Sequence, residues 1–232
     1  MELLAVRTAR FIAHLNAEEL NPSGYALAHK FFDAFTERYA FLKRPMTADE
    51  MLDSQDKGIT FEAGRFGDLG ISRIVLFEWG VAVETNSSTD DCEKILEDML
   101  GWAAQTFKLA NRANLITQRN YVSEILFASE MSLPNINPSL KAIGDRVTKL
   151  VAGYLGNSAP FELGGLHWFF DASQTKQLFT PFRVERFVAG ETPFSAKKYY
   201  SGAPLKTSDH LQIIRDFELA FPRDEVPPIP FE

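Results

Sequence analysis

Two short apolar runs, a turn and an amphipathic helix follow one another between Ile71 and Phe107. From Ile71 to Phe77 both alternating sets of positions are largely apolar and β-branched residues are frequent, a pattern typical of a strand buried on most of both faces. Residues 81–85 alternate as a returning strand. Between them, Glu78-Trp79-Gly80 predicts a tight turn in which the glycine takes a positive φ. The pattern therefore predicts a β-hairpin.

A helix start follows the hairpin directly. Ser88 or Thr89 supplies an N-cap oxygen, and Asp90 and Asp91 suit the positive end of the helix dipole. This explanation by helix capping outweighs a metal or phosphate site, because acidic side chains repel phosphate. The three- and four-residue spacing of the apolar positions that follow predicts one buried stripe, made of Cys92, Ile95, Leu96, Met99, Leu100, Ala103 and Phe107.

The remainder of the first half contains a strand, a helix and a further strand. Residues 3–15 alternate as a strand, with a helix as the alternative because Ala, Leu and Arg favour helices. Tyr25 to Leu42 has the apolar spacing of an amphipathic helix that ends before Pro45. Ile59 to Phe66 alternates as a strand that leads into the hairpin.

The second half shows a weaker version of the same order. Strands are predicted at 121–131, 161–171, 182–189 and 194–201, and a final helix begins at Thr207-Ser208-Asp209. Between the first two strands, Asn137 and Pro138 begin a helix as N-cap and first helical residue. Its apolar stripe is predicted to be Leu140, Ile143, Val147, Leu150, Val151 and Tyr154.

The order of elements predicts an α+β fold with two similar halves. Each half reads strand, helix, three strands, helix, and long amphipathic helices beside hairpins favour an antiparallel or mixed sheet with helices packed on one face. We expect the first half at 1–110, a connector at 111–119, the second half at 120–222 and a proline-rich tail at 223–232. A duplication explains this repeat, and chance agreement of element order is the alternative.

Composition narrows the functional classes. The 232-residue chain has a net charge of −7, which argues against a general binder of nucleic acid or anionic membrane. Its 20 phenylalanines imply a large apolar core, an adhesive interface, or both. The single Cys92 excludes an internal disulfide and a thiolate zinc cluster, and its place on an apolar stripe predicts a buried, inert thiol. No signal-peptide pattern or membrane-span pattern is found, so a cytoplasmic location is expected.

No motif for chemistry rises above background. Phosphate-binding glycine loops, a His-Glu-x-x-His pair, a nucleophile elbow and a calcium loop are all missing from the sequence, and no cofactor, metal site or catalytic residue is predicted. His14 and His29 lie in apolar patterns and are interpreted as core or boundary residues. His167 and Asp171 are too far apart along a strand to act as a pair. His210 follows Asp209 at a helix start, where capping explains both.

Cations and aromatic rings cluster in one stretch of the second half. The candidate binding residues are Arg183, Arg186, Lys197, Lys198, Tyr199 and Tyr200. On a shared sheet face they would suit an acidic partner, a phosphate or single-stranded nucleic acid. The simpler interpretation is an edge hairpin that lysines keep unpaired.

These observations favour a non-catalytic protein that self-associates or docks on a protein partner, with no membrane contact. The second-half sheet and the proline-rich tail are the expected contact surfaces. One alternative is an enzyme whose site on the second-half sheet uses His167, Glu185, Lys197, Tyr199 and Tyr200. Another is a nucleic-acid binder that uses the Lys/Tyr hairpin.

Overall fold

The computed structural model describes residues 1–15, 28–44, 58–109, 115–156, 160–175, 179–188 and 192–220. The strands are β1 (Glu2–Leu15), β2 (Ile59–Phe66), β3 (Leu69–Phe77), β4 (Gly80–Thr85), β5 (Ile116–Ala128), β6 (Gly165–Trp168), β7 (Phe182–Arg186) and β8 (Lys198–Ala203). The α-helices are α1 (Ala28–Arg38), α2 (Thr89–Phe107), α3 (Pro138–Leu155) and α4 (Thr207–Ala220). The predicted start of the first helix at Tyr25 and the proline-rich tail at 223–232 lie outside the described residues.

The α+β class is confirmed. The eight strands form an antiparallel sheet in the order β2-β3-β4-β1-β5-β8-β7-β6. Along the chain, the described elements run strand, helix, three strands, helix over residues 2–107, and in the same order over residues 116–220. Within the described part of the chain, none of the helices combines the length and apolar character that crossing a membrane requires.

Three predicted strands have different bounds. Of the strand predicted at 161–171, only β6 forms. In the segment before β6, the Phe161 N–H donates a hydrogen bond to the Thr148 hydroxyl (2.8 Å). Phe194–Ala196 forms a 3₁₀ turn instead of a strand, and Lys197 then takes a left-handed φ of 49°. β5 begins at Ile116, within the segment predicted as a connector. Exposed and half-buried residues alternate along this part of the strand.

The described residues divide into two compact units. The N-unit comprises the described residues within 6–124 and 204–208, and the C-unit comprises those within 1–5, 125–203 and 209–220. In the N-unit, one face of β1, β3 and β4 packs with α1 and α2 in a single apolar core. Alternate residues of β1 reach this core, which also contains Phe35, Phe61, Ile95 and Leu96. Both helices of this unit therefore share one core with alternate residues of β1.

Gly80 serves a purpose different from the predicted one. It is not among the described glycines with positive φ, so the turn at residues 78–79 does not depend on a left-handed glycine. A Cβ placed on Gly80 would lie 2.2 Å from the Ala13 carbonyl oxygen. Gly80 pairs with His14 across the β1–β4 ladder, so a missing side chain is what allows these strands to approach.

The start of α2 combines a predicted cap with an unpredicted one. Ser88 is the N-cap, and its hydroxyl accepts from the Asp91 N–H (3.1 Å). The Thr89 N–H donates to the Thr207 hydroxyl (3.1 Å), and the Thr207 N–H donates to the Thr89 hydroxyl (2.9 Å). Both threonines are buried. Each helix start therefore satisfies an amide of the other, across 118 positions of sequence.

In the C-unit, α3 contacts its surroundings through small and polar residues. A Cβ on Gly144 would lie 2.4 Å from the Phe161 carbonyl oxygen, and the Thr148 hydroxyl accepts from the Phe161 N–H. None of the residues of this 18-residue helix is buried. Asn137 is the N-cap, as predicted, and Gly156 at φ 67° is the C-cap. The helix ends are therefore well made, while the apolar stripe stays outside the core.

Candidate interaction surfaces

The pleat of β7 and β8 divides the six candidate binding residues between two faces. Arg183 pairs with Gly202 and Glu185 with Tyr200, so Arg183 and Tyr200 belong to one face of this ladder. Arg186 pairs with Tyr199, and these two belong to the other face together with the buried Val184. The predicted single cationic and aromatic surface is therefore not formed.

The first face carries a cleft of about 600 Å³. The Arg183 guanidinium lies 4.9 Å from the centre of the Tyr200 ring and donates to its hydroxyl (3.0 Å). His167 Nε2 lies 3.3 Å from the Glu185 carboxylate. Gly164 and Gly165 line the cleft without side chains. The cleft thus brings together His167, Glu185 and Tyr200 of the enzyme alternative, with Arg183 beside them.

The second face holds its charged groups in internal contacts. The Arg186 side chain is 10% exposed, pairs with Glu162 (2.9 Å) and stacks over Phe194 at 4.5 Å. Lys197 forms an ion pair with Glu130. The buried Tyr199 hydroxyl donates to the Met131 carbonyl (2.7 Å). Lys197 and Tyr199 line a separate cleft of about 400 Å³, and Lys198 is exposed at the start of β8. The structure therefore separates Lys197 and Tyr199 from the other residues of the enzyme alternative.

Large exposed apolar side chains concentrate in the C-unit. Among the described residues, all of them except Leu42 and Trp79 belong to that unit. They are Leu3, Leu4, Leu140, Ile143, Leu150, Tyr154, Leu155, Phe161, Trp168, Phe169, Phe179, Val188, Phe194, Ile213 and Leu219. Five lie on α3, and all of these except Leu155 belong to the apolar stripe that sequence periodicity predicts. Periodicity detects that a helix has an apolar side, but it carries no information on what covers that side.

The two outer strands of the sheet differ in protection. At β2, the Lys43 and Glu62 backbones exchange hydrogen bonds (3.2 and 3.0 Å), and the Arg65 N–H donates to the Tyr39 carbonyl (2.7 Å). The chain around residues 39–43 therefore covers that edge. β6 is the last strand on the other side, and among the described residues only β7 pairs with it. Trp168 and Phe169 beside this edge are 44% and 75% exposed.

The sheet of the N-unit carries charged and aromatic groups that no motif predicts. Glu84 accepts from both Arg10 (2.6 Å) and Arg73 (3.0 Å). Burial works against its charge, but these two hydrogen bonds hold the pKa of Glu84 below its ordinary value. Trp79 stacks on Phe77 at 4.5 Å and on His14 at 4.7 Å, beside a cleft of about 250 Å³. The alternation of side chains along each strand is the sequence signal that could have placed Arg10, Arg73 and Glu84 on one sheet face.

His210 and Cys92 are buried groups within the fold. The His210 ring Nε2 lies 2.8 Å from the Ser201 hydroxyl, and both residues are fully buried. Burial lowers the pKa of His210 to about 4, so the ring is neutral at pH 7. The capping role predicted for His210 is therefore wrong. Burial raises the pKa of Cys92 to about 11, and its thiol donates to the Ala9 carbonyl (3.2 Å). Cys92 is buried, as predicted, and its raised pKa keeps it in the thiol form at pH 7.

Comparison of the sequence with protein-family models and with curated proteins finds no match.

Proposed function

We propose that this protein is a non-catalytic assembly protein that associates with further copies of itself through the C-unit. The observation that carries the proposal is the concentration of exposed apolar side chains in that unit, five of which lie on α3. Large contiguous patches of exposed apolar surface are rare on monomeric proteins and usually mark interaction sites. The N-unit, by contrast, places its apolar residues in one core.

The apolar stripe of α3 is built for contact with a partner. Ile143, Leu150 and Tyr154 are 59%, 49% and 78% exposed, and they recur at the spacing of one helix face. Burial of one such side chain contributes about 1.5–3 kcal/mol, so a stripe of this size is costly to leave in water. The contacts of Gly144 and Thr148 with Phe161 fix the helix by a different side. The stripe is thereby held in an accessible position.

A second copy is the occupant that we favour for this surface. Apolar contacts have no directional or charge requirement, so two identical stripes are compatible with each other in an isologous dimer. The net charge of −7 is no obstacle, because the stripe itself carries no charged residue. A different protein that binds the same stripe is the other outcome of the test.

The test compares two variants of the full chain by sedimentation equilibrium. Ile143→Glu places a charge in the apolar stripe, and Ala142→Glu places the same charge on an exposed neighbouring position of the same helix. We expect the wild type and Ala142→Glu to form oligomers. The dissociation constant of Ile143→Glu should be about tenfold higher or more. A wild type that stays monomeric at millimolar concentration contradicts self-association.

We also infer that the chain arose by duplication of one strand-helix-three-strand-helix segment. Support comes from the element order, which occurs twice, and from the strand order, which is the same when corresponding strands are counted inward from either edge of the sheet. Thr89 and Thr207, which begin the last helix of each segment, also occupy matching positions. In an experimental structure, residues 59–107 and 165–220 should superpose element for element. A mismatch in the pairing of the three strands contradicts the duplication.

An enzyme is the second candidate function, and one observation favours it. The cleft on the first face places His167 next to Glu185 and beside Tyr200, which is a combination suited to proton transfer. A small molecule that binds this cleft would then raise the melting temperature of the wild type, and His167→Gln would abolish that increase. A ligand screen in which wild type and His167→Gln respond alike contradicts this candidate.

The basic and aromatic residues Arg183, Arg186, Lys197, Lys198, Tyr199 and Tyr200 retain one proposed role, contact with an acidic partner. Arg183 with its stacked Tyr200 is the best supported part, since both border the open cleft. Nucleic-acid binding is less favoured because Tyr199 is buried and Lys197 pairs with Glu130. Steep salt dependence of binding, lost in Lys197→Glu with Lys198→Glu, would support it.

A further inference from the structure

The strand β6 leaves half of its backbone hydrogen-bonding groups directed away from the sheet. The Arg186 N–H donates to the Gly164 carbonyl (2.7 Å), which makes residues 164 and 186 a hydrogen-bonded pair. Hydrogen-bonded and non-bonded pairs alternate along an antiparallel ladder. With Leu166 opposite Val184, the N–H and C=O of Leu166 point towards β7. Those of Gly165 and His167 therefore point outward.

We propose that β6 pairs antiparallel with β6 of a second copy, around a twofold axis at His167, so that the sheet continues across the dimer. This inference rests on the proposed function, because it adds a second contact, beside the α3 stripe, between the copies that associate through the C-unit. A strand edge with unsatisfied N–H and C=O groups is a template for such pairing. The opposite edge, β2, lacks this opportunity because residues 39–43 already occupy it.

In this register, large side chains of one copy face smaller or absent side chains of the other. It places Phe169 of one copy opposite Gly165 of the other, and Trp168 opposite Leu166. Phe169, 75% exposed, lies 6.1 Å from the His167 ring on the strand face that Gly165 shares. An aromatic ring over a cross-strand glycine covers backbone that the glycine leaves bare. The most exposed ring beside this edge thus meets the position with no side chain.

The same register also allows the outward N–H and C=O groups of the two β6 strands to form hydrogen bonds with each other. A twofold axis at an outward-facing residue makes His167 and its counterpart a hydrogen-bonded pair, and the pairs Gly165–Phe169 on either side follow the same alternation. Trp168 and Leu166 then meet on the opposite face, beside Phe182 and Phe217 that already contact Trp168. A second copy thereby adds to an existing apolar cluster.

Two substitutions at one position separate the backbone contribution from the side-chain contribution. His167→Pro removes an outward N–H while it leaves the β7 ladder intact, and His167→Ala removes only the side chain. In sedimentation equilibrium of the full chain we expect His167→Ala to dimerise like the wild type. His167→Pro should weaken the dimer by roughly tenfold or more, because its lost donors leave carbonyls unpaired.

A cysteine at the axis gives a second readout that does not depend on proline being tolerated. His167→Cys should form a covalent dimer on oxidation, since cross-strand Cα atoms of a hydrogen-bonded pair lie about 5.5 Å apart, within disulfide reach. Asp68→Cys, at an exposed position between β2 and β3 in the N-unit, is the control and should cross-link little. The native Cys92 is buried and does not interfere.

The outcomes distinguish this inference from the proposed function. A dimer that is insensitive to His167→Pro and is not cross-linked by His167→Cys, yet dissociates in Ile143→Glu, overturns β6 pairing and keeps the assembly function. A wild type that is monomeric throughout overturns both. Loss of the dimer in His167→Pro together with efficient cross-linking of His167→Cys supports β6 pairing.

Discussion

Two buried hydrogen-bonding residues, Ser201 and His210, show how a neutral imidazole is used inside this fold. The Ser201 hydroxyl donates to the Arg183 carbonyl (2.6 Å) and lies 2.8 Å from the ring of His210. The Phe182 ring meets that imidazole edge-on at 6.3 Å. Such surroundings stabilise the neutral ring and disfavour its protonation.

His210 should make the protein sensitive to mild acid. Its folded pKa is about 4, below its ordinary value near 6.5, so its contribution is complete above pH 6.5. As the pH falls from 6.5 towards 4, the unfolded chain binds a proton that the folded chain does not. The free energy of unfolding should therefore fall by up to about 1.4 kcal/mol per pH unit from this group.

His210→Gln provides the measurement. Urea denaturation at pH 7.5 and at pH 5 should show a smaller acid loss in the variant than in the wild type, because glutamine does not titrate. The variant itself is expected to be less stable at pH 7.5, since its shape differs in a fully buried site. Equal acid losses in the two proteins would show that His210 is not the group responsible.

The paired threonines Thr89 and Thr207 allow a prediction on the coupling of two distant residues. Thr89→Ala leaves the Thr207 N–H without its acceptor, and Thr207→Ala does the same to the Thr89 N–H. Each change should lower the free energy of unfolding by about 0.5–2 kcal/mol. The double variant should lose less than the sum, because the remaining bond weakens once its neighbour is gone.

Conservative variants give the controls for this pair. Thr89→Ser keeps the hydroxyl and should retain most of the stability, while Ser208→Ala changes an exposed neighbour and should have little effect. Strict additivity of Thr89→Ala and Thr207→Ala in chemical denaturation would mean that the two hydrogen bonds act independently.

At the scale of single elements, two glycines of α3 form a matched test. Gly144 approaches the Phe161 carbonyl, while a Cβ on Gly153 would meet nothing within 4 Å. Gly153→Ala should stabilise the protein by up to about 1 kcal/mol, because alanine favours helix. Gly144→Ala gains the same propensity but must displace backbone at Phe161, so the net change should be destabilising. Thermal denaturation of both variants decides, and two stabilising changes would contradict the close contact.

Strands offer the corresponding comparison at Gly80. Gly80→Ala places a methyl group against the Ala13 carbonyl and should cost about 1–3 kcal/mol, as overpacking does. Gly70→Ala, at a strand position where a Cβ meets nothing within 4 Å, is the control and should change stability little. Equal behaviour of the two variants would show that β1 and β4 can separate at no cost.

Most elements could be predicted from alternation and capping, because those signals are local. Ser88, Asn137 and Gly156 mark helix ends by groups that act within one turn. The exceptions depend on tertiary contacts. The short extent of β6 follows from the hold of Thr148 on Phe161, and the function of Gly80 follows from the approach of β1. Neither partner is near in sequence, so no window around these residues contains the information.

The candidate surfaces of the whole molecule were less accessible to sequence reasoning. The cationic and aromatic stretch was visible by composition, but the pleat that separates Arg183 from Arg186 depends on the register of β7 against β8. The α3 stripe was visible as periodicity, although its exposure depends on which side of the helix meets Phe161. Composition indicated the core correctly, since an excess of phenylalanine predicts a large apolar core, and Phe11, Phe35 and Phe61 lie in that of the N-unit.

The mutual capping of Thr89 and Thr207 has a consequence for biosynthesis. Residues 204–208 belong to the N-unit, so a nascent chain has to extend beyond them before that unit acquires its last hydrogen-bonding partners. Contacts between residues so far apart in sequence slow folding, since a long loop must close first. A ribosome-bound chain that ends before Thr207 would therefore expose an amide at the start of α2 to solvent, and co-translational chaperones would meet the N-unit in this incomplete state.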